Sequence, residues 1–276
     1  MTTRSLRASG LAYAASLLLI PSTVVGQGAA GGEPLAARIA RARTPVVRFE
    51  FPSRRDACGY GESIGLREPG GGDGSATVVW GELSSVRGGF RDVCEHGPVR
   101  VSIRRGRGGE VAALRARVGG VWERSEDDVT DLGLVPAADA ADYLLHLAAT
   151  APGSVSEQAV LPAALGDGVT VWPSLLAIAR DRSRDEDTRG VARFWVFEAA
   201  AERITNGVPR NSGERRSERS EAVFALSRLE DGEGVPALVE VARTHADPWV
   251  RRDALFWITQ EDDPRGLDLL EELLRR

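Results

Sequence analysis

Few residues of this chain have the types and spacing that covalent chemistry requires. Cys94, Glu95 and His96 are adjacent, and a thiol, a carboxylate and an imidazole are the groups used by nucleophiles and acid–base catalysts. Neither cysteine, however, stands beside a His or an acid in a known nucleophile signature. Catalysis is therefore only our third functional hypothesis: a hydrolase that uses His96 and neighbouring acids at a domain junction. It ranks below two hypotheses of binding without catalysis.

Three acidic clusters have the composition of calcium sites or of paired acid–base catalysts. Each cluster lies in a turn between predicted helices or at a domain boundary, where helix capping and solubility explain it. Their positions are 126–128, 185–187 and 261–263. None fits the calcium-loop pattern, and His96, His146 and His245 lack the spacing of a metal site. We therefore predict no metal and no cofactor.

The basic residues of the chain are all arginine. Arg and Lys together number 35, and none is Lys, which excludes a Schiff-base lysine and a P-loop. The motifs G-x-S-x-G, G-x-G-x-x-G and H-E-x-x-H are missing as well. With 276 residues, 42% of them hydrophobic and 27% charged, the composition indicates a globular protein of one or two domains. These observations favour a protein without enzymatic activity.

Residues 1–26 have the three-part pattern of a secretory signal peptide. An arginine-containing start precedes an apolar run at 11–20, and Val24 and Gly26 place small residues before a predicted cleavage at Gln27. The apolar run is about half as long as the roughly 20 residues that span a bilayer, which favours a signal peptide over an anchor. We expect export to the periplasm or beyond, without stable membrane insertion after cleavage.

The next part of the chain has the patterns of a small β domain. Residues 27–43 are Gly-rich and basic, which indicates a flexible lead with one short helix. Residues 44–126 contain segments that alternate apolar and polar residues, separated by Gly-rich turns. In an oxidising compartment Cys58 and Cys94 are expected to pair, which predicts a disulfide-stapled, mostly antiparallel domain. The predicted strands are 46–51, 76–83, 98–105 and 110–118.

From residue 127 to 276 the pattern is helical. Apolar residues recur at i, i+3, i+4 and i+7 between short Gly, Asp and Pro breaks, which predicts about eight helices. This region carries a net charge of −11, whereas residues 44–126 carry +2. Because an acidic surface repels phosphate, we predict no nucleic-acid partner.

The helices repeat along the chain. A shift of 32 residues places the segment 221–242 on 253–274 without a gap. In both copies the turn Asp-x-x-Gly separates two helices, and its Asp can cap the second helix. A period of this length is typical of stacked helical hairpins. Identical pairs at this offset are Ala222/Ala254, Phe224/Phe256, Asp231/Asp263, Gly234/Gly266, Leu238/Leu270 and Glu240/Glu272.

The paired helices, their turn and the segment DPWVRRDALFW at 247–257 resemble the HEAT-repeat family of helical-hairpin solenoids, over about 154–276. The whole arrangement is similar to uncharacterised exported bacterial proteins with HEAT repeats, for which no activity is implied. The resemblance implies protein binding along an extended surface, with the second helix of each hairpin on the concave face. The partner-binding positions that it implies are Ser174, Ala177, Ala237, Glu240, Asp268 and Glu271.

The aromatic residues of the helical region are predicted to pack in its core, because they occupy repeat-equivalent positions beside Ala and Leu. Trp249 differs, since it follows Asp247 and Pro248 at a predicted helix start. We expect this ring to be partly exposed and add it to the predicted partner-binding positions.

The sequence thus predicts a mainly α fold, an α-solenoid of HEAT-like hairpins with a small N-terminal antiparallel β domain. Our first functional hypothesis is an exported, non-catalytic scaffold that binds a protein partner. The second hypothesis is that the β domain binds a ligand. Its arginine-rich strand segment at 100–105 would hold an anionic ligand, a glycan or a lipid headgroup, with the helices as a rigid support.

Overall fold

The computed structural model describes eight stretches of the chain. They are 33–67, 76–80, 93–122, 124–125, 127–205, 215–229, 233–260 and 263–276, of which 76–80 and 215–220 are described by their backbone alone. The predicted signal peptide lies outside the described residues. From Pro34 to Arg276 the chain forms a single compact unit.

The described residues form seven strands and nine helices. The strands are β1 Val46–Phe51, β2 Ala57–Tyr60, β3 Ser63–Arg67, β4 Ala76–Trp80, β5 Val99–Arg105, β6 Val111–Val118 and β7 Val129–Leu134. The helices are α1 Leu35–Arg41, α2 Ala137–Thr150, α3 Ser154–Ala164, α4 Trp172–Arg180, α5 Glu186–Thr205, α6 Arg215–Ser227, α7 Val235–Thr244, α8 Pro248–Gln260 and α9 Pro264–Arg275. The predicted fold class, mainly α with a small N-terminal β part, is confirmed.

The main sheet has the strand order β6-β5-β1-β7. β5 pairs antiparallel with both β1 and β6, while β7 pairs parallel with β1. Val47, Phe49 and Phe51 are fully buried on one face of β1, and the residues between them point to the other face. The alternation that predicted this strand therefore separates a core face from an outward face.

The sheet continues past residue 126, where the sequence analysis placed the start of the helical region. β7 has the sequence VTDLGL, and its Asp and Gly are poor strand formers, so its local pattern does not predict a strand. Pairing with β1 holds it in the sheet, together with an ion pair of 2.9 Å between Arg48 and Asp131. A contact distant in sequence thus overrides local preference.

A disulfide joins Cys58 and Cys94, as predicted. Both cysteines are buried, and next to them Gly59 and Glu95 exchange two backbone hydrogen bonds of 2.9 Å. A Cβ atom on Gly59 would overlap the carbonyl oxygen of Val118. The small sheet, with the order β2-β3-β4, is therefore fixed by the disulfide to the segment before β5, and it packs closely against the end of β6.

In the helical region α8 lies between α5 and α6. The ring centroid of Phe256 in α8 is 5.6 Å from that of Phe197 in α5. The ring centroid of the neighbouring Trp257 is 5.0 Å from that of Phe224 in α6. The adjacent aromatic residues Phe256 and Trp257 thus contact two different neighbouring helices, which fits the predicted packing of the aromatic residues.

Among the second helices of the hairpins, α9 lies between α4 and α7. Arg180 of α4 pairs with Asp268 and Glu271 of α9, each at 2.6 Å, and Arg243 of α7 pairs with Glu272 at 2.7 Å. The last hairpin of the chain, α8–α9, therefore occupies the middle of the stack. A solenoid that stacked its hairpins in chain order would place this hairpin at the end.

The repeat-equivalent glycines have a common structural role. A Cβ atom on Gly234, before α7, would overlap the carbonyl oxygen of Leu226 in α6. A Cβ atom on Gly266 would lie 3.1 Å from the carbonyl oxygen of Ile258 in α8. In both hairpins the second helix begins directly against the backbone of the first, eight residues earlier. Only glycine allows this approach without a shift of the backbone.

The variant Gly234→Ala is expected to destabilise the protein by about 1–3 kcal/mol, because its methyl group displaces the α6 backbone. Gly190→Ala is the matched control: it lies within α5, and the nearest atom to its Cβ would be 3.7 Å away. This control should stabilise the protein by up to about 1 kcal/mol through helix propensity. Urea unfolding measures both changes, and equal effects of the two variants would contradict the packing role of Gly234.

Candidate functional site

The second helices α4, α9 and α7 form one surface, which we call the second-helix layer. Four predicted partner-binding positions are exposed on its flanking helices, and Asp268 is exposed on its central helix, where Glu271 is half-buried. The structure thus brings the six predicted positions of these helices into one layer. The four flanking positions are Ser174, Ala177, Ala237 and Glu240.

Arginines pair with carboxylates of the central helix of this layer, including those of the predicted positions Asp268 and Glu271. Hydrogen bonds from Arg180 and then from Arg275 lower the pKa of Glu271, and a hydrogen bond from Arg243 lowers the pKa of Glu272. Sequence analysis missed Arg180, because its partners are on α9, far away in the chain. The layer therefore presents alternating positive and negative groups that link three helices.

Trp249 lies at the first turn of α8, outside the three helices of the second-helix layer. The backbone N–H of Trp249 donates a hydrogen bond of 2.9 Å to the Asp247 carboxylate, which caps the helix start. The Trp249 ring is half-buried, and the guanidinium of Arg252 lies 5.8 Å from its centroid. This position is well placed to support α8, and its role in partner binding stays a prediction.

A charged cluster lies where the first strand and the helices meet. Arg54, in the loop after β1, pairs with Asp56 at 2.6 Å and with Glu202 of α5 at 3.1 Å. Arg252 of α8 lies 3.4 Å from Glu198. Burial raises the pKa of Glu198, although Arg252 and Arg54 act in the opposite direction. Neutral Glu198 is thus favoured by desolvation, and its charged form by two arginines.

This cluster gives a prediction for the pH dependence of stability. Because the pKa of Glu198 is raised above its ordinary value of 4.5 on folding, the folded state holds a proton that the unfolded state has released. As the pH rises above about 4.5, the Tm of the wild type should therefore fall relative to that of Glu198→Gln. Glu221→Gln, exposed on α6, controls for the loss of one charge. A relative Tm that rises with pH would contradict this assignment.

His96, the residue of the hydrolase hypothesis, is exposed and lies beside the disulfide. Its Nδ1 is 2.9 Å from the carbonyl oxygen of Ala57, so this nitrogen carries a proton and donates it. That hydrogen bond orients the ring towards the backbone of β2, which is a structural role. The hydrolase hypothesis stays a prediction that the described contacts of His96 do not strengthen.

The arginine-rich strand of the second hypothesis faces an open cleft of about 270 Å³. Trp122 lines it, with its ring centroid 4.9 Å from the Arg48 guanidinium and 5.9 Å from that of Arg100. Arg105, at the end of the predicted segment, instead donates to the carbonyl oxygen of Ala42 beside α1. The arginines of the cleft are Arg48, Arg100, Arg104, Arg115, Arg117 and Arg124.

In the part of the chain that the structure describes, no group of three or more His, Cys, Asp or Glu residues has the arrangement of a metal site. Among the same residues, no helix has both the length and the apolarity needed to cross a bilayer.

Residues 218–244 match a family model described as the PBS lyase HEAT-like repeat. The matched segment covers most of α6 and all of α7, including the turn with Gly234. It confirms the HEAT-like character that the sequence predicts for the C-terminal half. Repeats of this kind suggest a role in protein interaction. Comparisons with curated proteins and with solved structures gave no significant match.

Proposed function

We propose that this protein is an exported, non-catalytic scaffold that binds a protein partner through the second-helix layer. One observation carries the proposal: three HEAT-like second helices, α4, α9 and α7, lie side by side and are joined by ion pairs. Extended surfaces of stacked helical repeats are suited to protein partners. The function itself rests on this analogy between folds.

The chemistry of the layer indicates which partner surface it fits. Small exposed side chains at Ser174, Ala177 and Ala237 allow a partner backbone to approach closely. Around them the paired arginines and carboxylates are already held in place, so binding orders few further side chains. The layer suits a partner surface with small apolar contacts and alternating charges. It is poorly suited to a partner surface whose charges are mostly of one sign.

The test uses a variant that breaks none of the ion pairs given above. Ala177→Arg/Ala237→Arg/Glu240→Arg adds bulk and positive charge to the layer, and should weaken partner capture by about tenfold or more. The matched control Ala138→Arg/Asp142→Arg/Ala149→Arg likewise replaces two alanines and one acidic residue by arginine, at exposed positions of α2. Affinity capture of the tagged chain, followed by mass spectrometry, compares the two. Equal capture by wild type and layer variant would refute the proposal.

Export is part of the proposal and has its own test. A buried disulfide, Cys58–Cys94, supports a location outside the reducing cytosol. The predicted signal peptide supports the same location. N-terminal sequencing of the protein from its native cells should begin near Gln27. A protein found in the cytosol with its first residues intact would contradict export.

A further inference from the structure

The outward face of the main sheet is built from arginines in adjacent strands. In the register of the sheet, Arg48 of β1 is opposite Ser102 of β5, which is opposite Arg115 of β6. One row further, Arg100 of β5 is opposite Arg117 of β6. Like charges directly opposite each other destabilise a sheet. Anionic groups beside the guanidinium groups offset this repulsion.

Carboxylates neutralise only part of this charge. Four carboxylates each form an ion pair with one arginine of the cleft. The pairs are Arg48–Asp131 at 2.9 Å, Arg100–Glu50 at 3.1 Å, Arg104–Asp127 at 2.7 Å and Arg117–Glu62 at 3.0 Å. Arg115 and Arg124 line the same cleft and are exposed. Within the described residues these two arginines have no carboxylate partner. The described carboxylates therefore leave two exposed guanidinium groups in the lining of the cleft.

The chemistry of the lining specifies the kind of ligand. A guanidinium donates two parallel hydrogen bonds to a carboxylate, sulfate or phosphate group. The hydroxyl of Ser102, in the row between Arg48 and Arg115, adds a donor at the centre of the cleft. Trp122 and the 84% exposed Val121 provide apolar surface beside these donors. A volume of about 270 Å³ limits the enclosed part of the ligand to a small group.

We propose that this cleft binds a small organic oxyanion, whose charged group is held by Arg115 and Arg124 and whose body lies against Trp122. The site lies on the sheet and is separate from the second-helix layer, so this inference does not depend on the proposed partner. The oxyanion could belong to a free small molecule or to the headgroup of a lipid, because both present the same charged group to the cleft.

Titration calorimetry of the full chain tests the proposal with benzoate, phenyl phosphate and phenyl sulfate, and with benzyl alcohol as the neutral analogue. At least one anion should bind saturably with one site per chain, and the alcohol should not bind. Arg115→Gln/Arg124→Gln should weaken that binding by about tenfold or more. Arg107→Gln/Arg182→Gln, at two exposed arginines outside the cleft, should leave it within about twofold.

Trp122 has a separate role in the test. Inorganic phosphate should bind more weakly than phenyl phosphate to the wild type, and Trp122→Ala should remove that difference. Vesicles with phosphatidylglycerol, compared with phosphatidylcholine vesicles, separate the two sources of the oxyanion. Binding to the anionic vesicles that phenyl phosphate displaces assigns the group to a lipid headgroup. Saturable binding of soluble anions without vesicle binding assigns it to a free ligand.

Three results would overturn the proposal. They are no saturable binding of any of the three organic anions, equal losses in the cleft and control variants, and vesicle binding that no soluble anion displaces. Because the cleft variants leave α4, α7 and α9 unchanged, these results would not bear on the proposed scaffold function.

Discussion

The variant Cys58→Ala/Cys94→Ala is expected to lose about 3–4 kcal/mol of unfolding free energy, measured by urea denaturation. The cysteines are 36 residues apart, and their bond restricts the unfolded chain by closing this long loop. In the folded state the same bond holds β2 beside Glu95, next to the close approach of Gly59 and Val118. The loss of structural stability should therefore be largest in the small sheet, which the bond holds in place.

The wild type under reducing conditions is the control for this prediction, since it keeps both side chains and loses only the bond. It should show the same loss of stability as the double variant. A difference between oxidised and reduced wild type of less than about 1 kcal/mol would contradict the stapling role of the disulfide. Loss of stability in the variant alone would indicate side-chain packing as its cause.

The variant Leu255→Ala is expected to destabilise the protein by about 2–5 kcal/mol, because it leaves a cavity in the core. Leu255 has 0% exposure on α8, the helix that contacts α5 through Phe256 and α6 through Trp257. This cost follows from the complete burial of Leu255 in the hydrophobic core.

Leu229→Ala is the matched control for the cavity variant, because this leucine follows α6 and is 48% exposed. Surface substitutions of this kind change stability by about 0.5 kcal/mol or less. Thermal unfolding of both variants compares the two sites. Similar costs at Leu255 and Leu229 would contradict the burial of this face of α8 in the core.

Much of the fold could be predicted from patterns that are local in sequence. The apolar period predicted the helices of the second half, and alternation predicted β1, β4, β5 and β6. The shift of 32 residues aligned Gly234 with Gly266, and the structure gives both the same packing role. The two cysteines of the chain allow only one pairing, and this disulfide is present.

The remaining features depend on contacts between distant parts of the chain. β7 is a strand because it pairs with β1, although its residues are poor strand formers. The position of the hairpin α8–α9 depends on which helices its aromatic and charged side chains contact. Arg180 and its partner Glu271 are 91 residues apart, so the sequence indicated the exposed position 271 without the arginine that pairs with it.

The same limit applies to the cleft on the sheet. The strand pattern predicted an arginine-rich face at 100–105, but Arg48, Trp122 and Arg124 join it from other segments. Which arginines are paired follows from the register of β1, β5, β6 and β7 rather than from composition. The second functional hypothesis therefore gains a defined site that the sequence alone did not show.

Site-specific photo-cross-linking in the native cells tests the central claim, that the second-helix layer binds a protein partner. A photoreactive side chain is introduced at Ala177 on α4, at Ala237 on α7, and at Ala138 on α2 as the control. We predict that positions 177 and 237 cross-link to the same partner protein, and that position 138 does not. A partner cross-linked only from position 138, or no cross-link from either layer position, would contradict the claim.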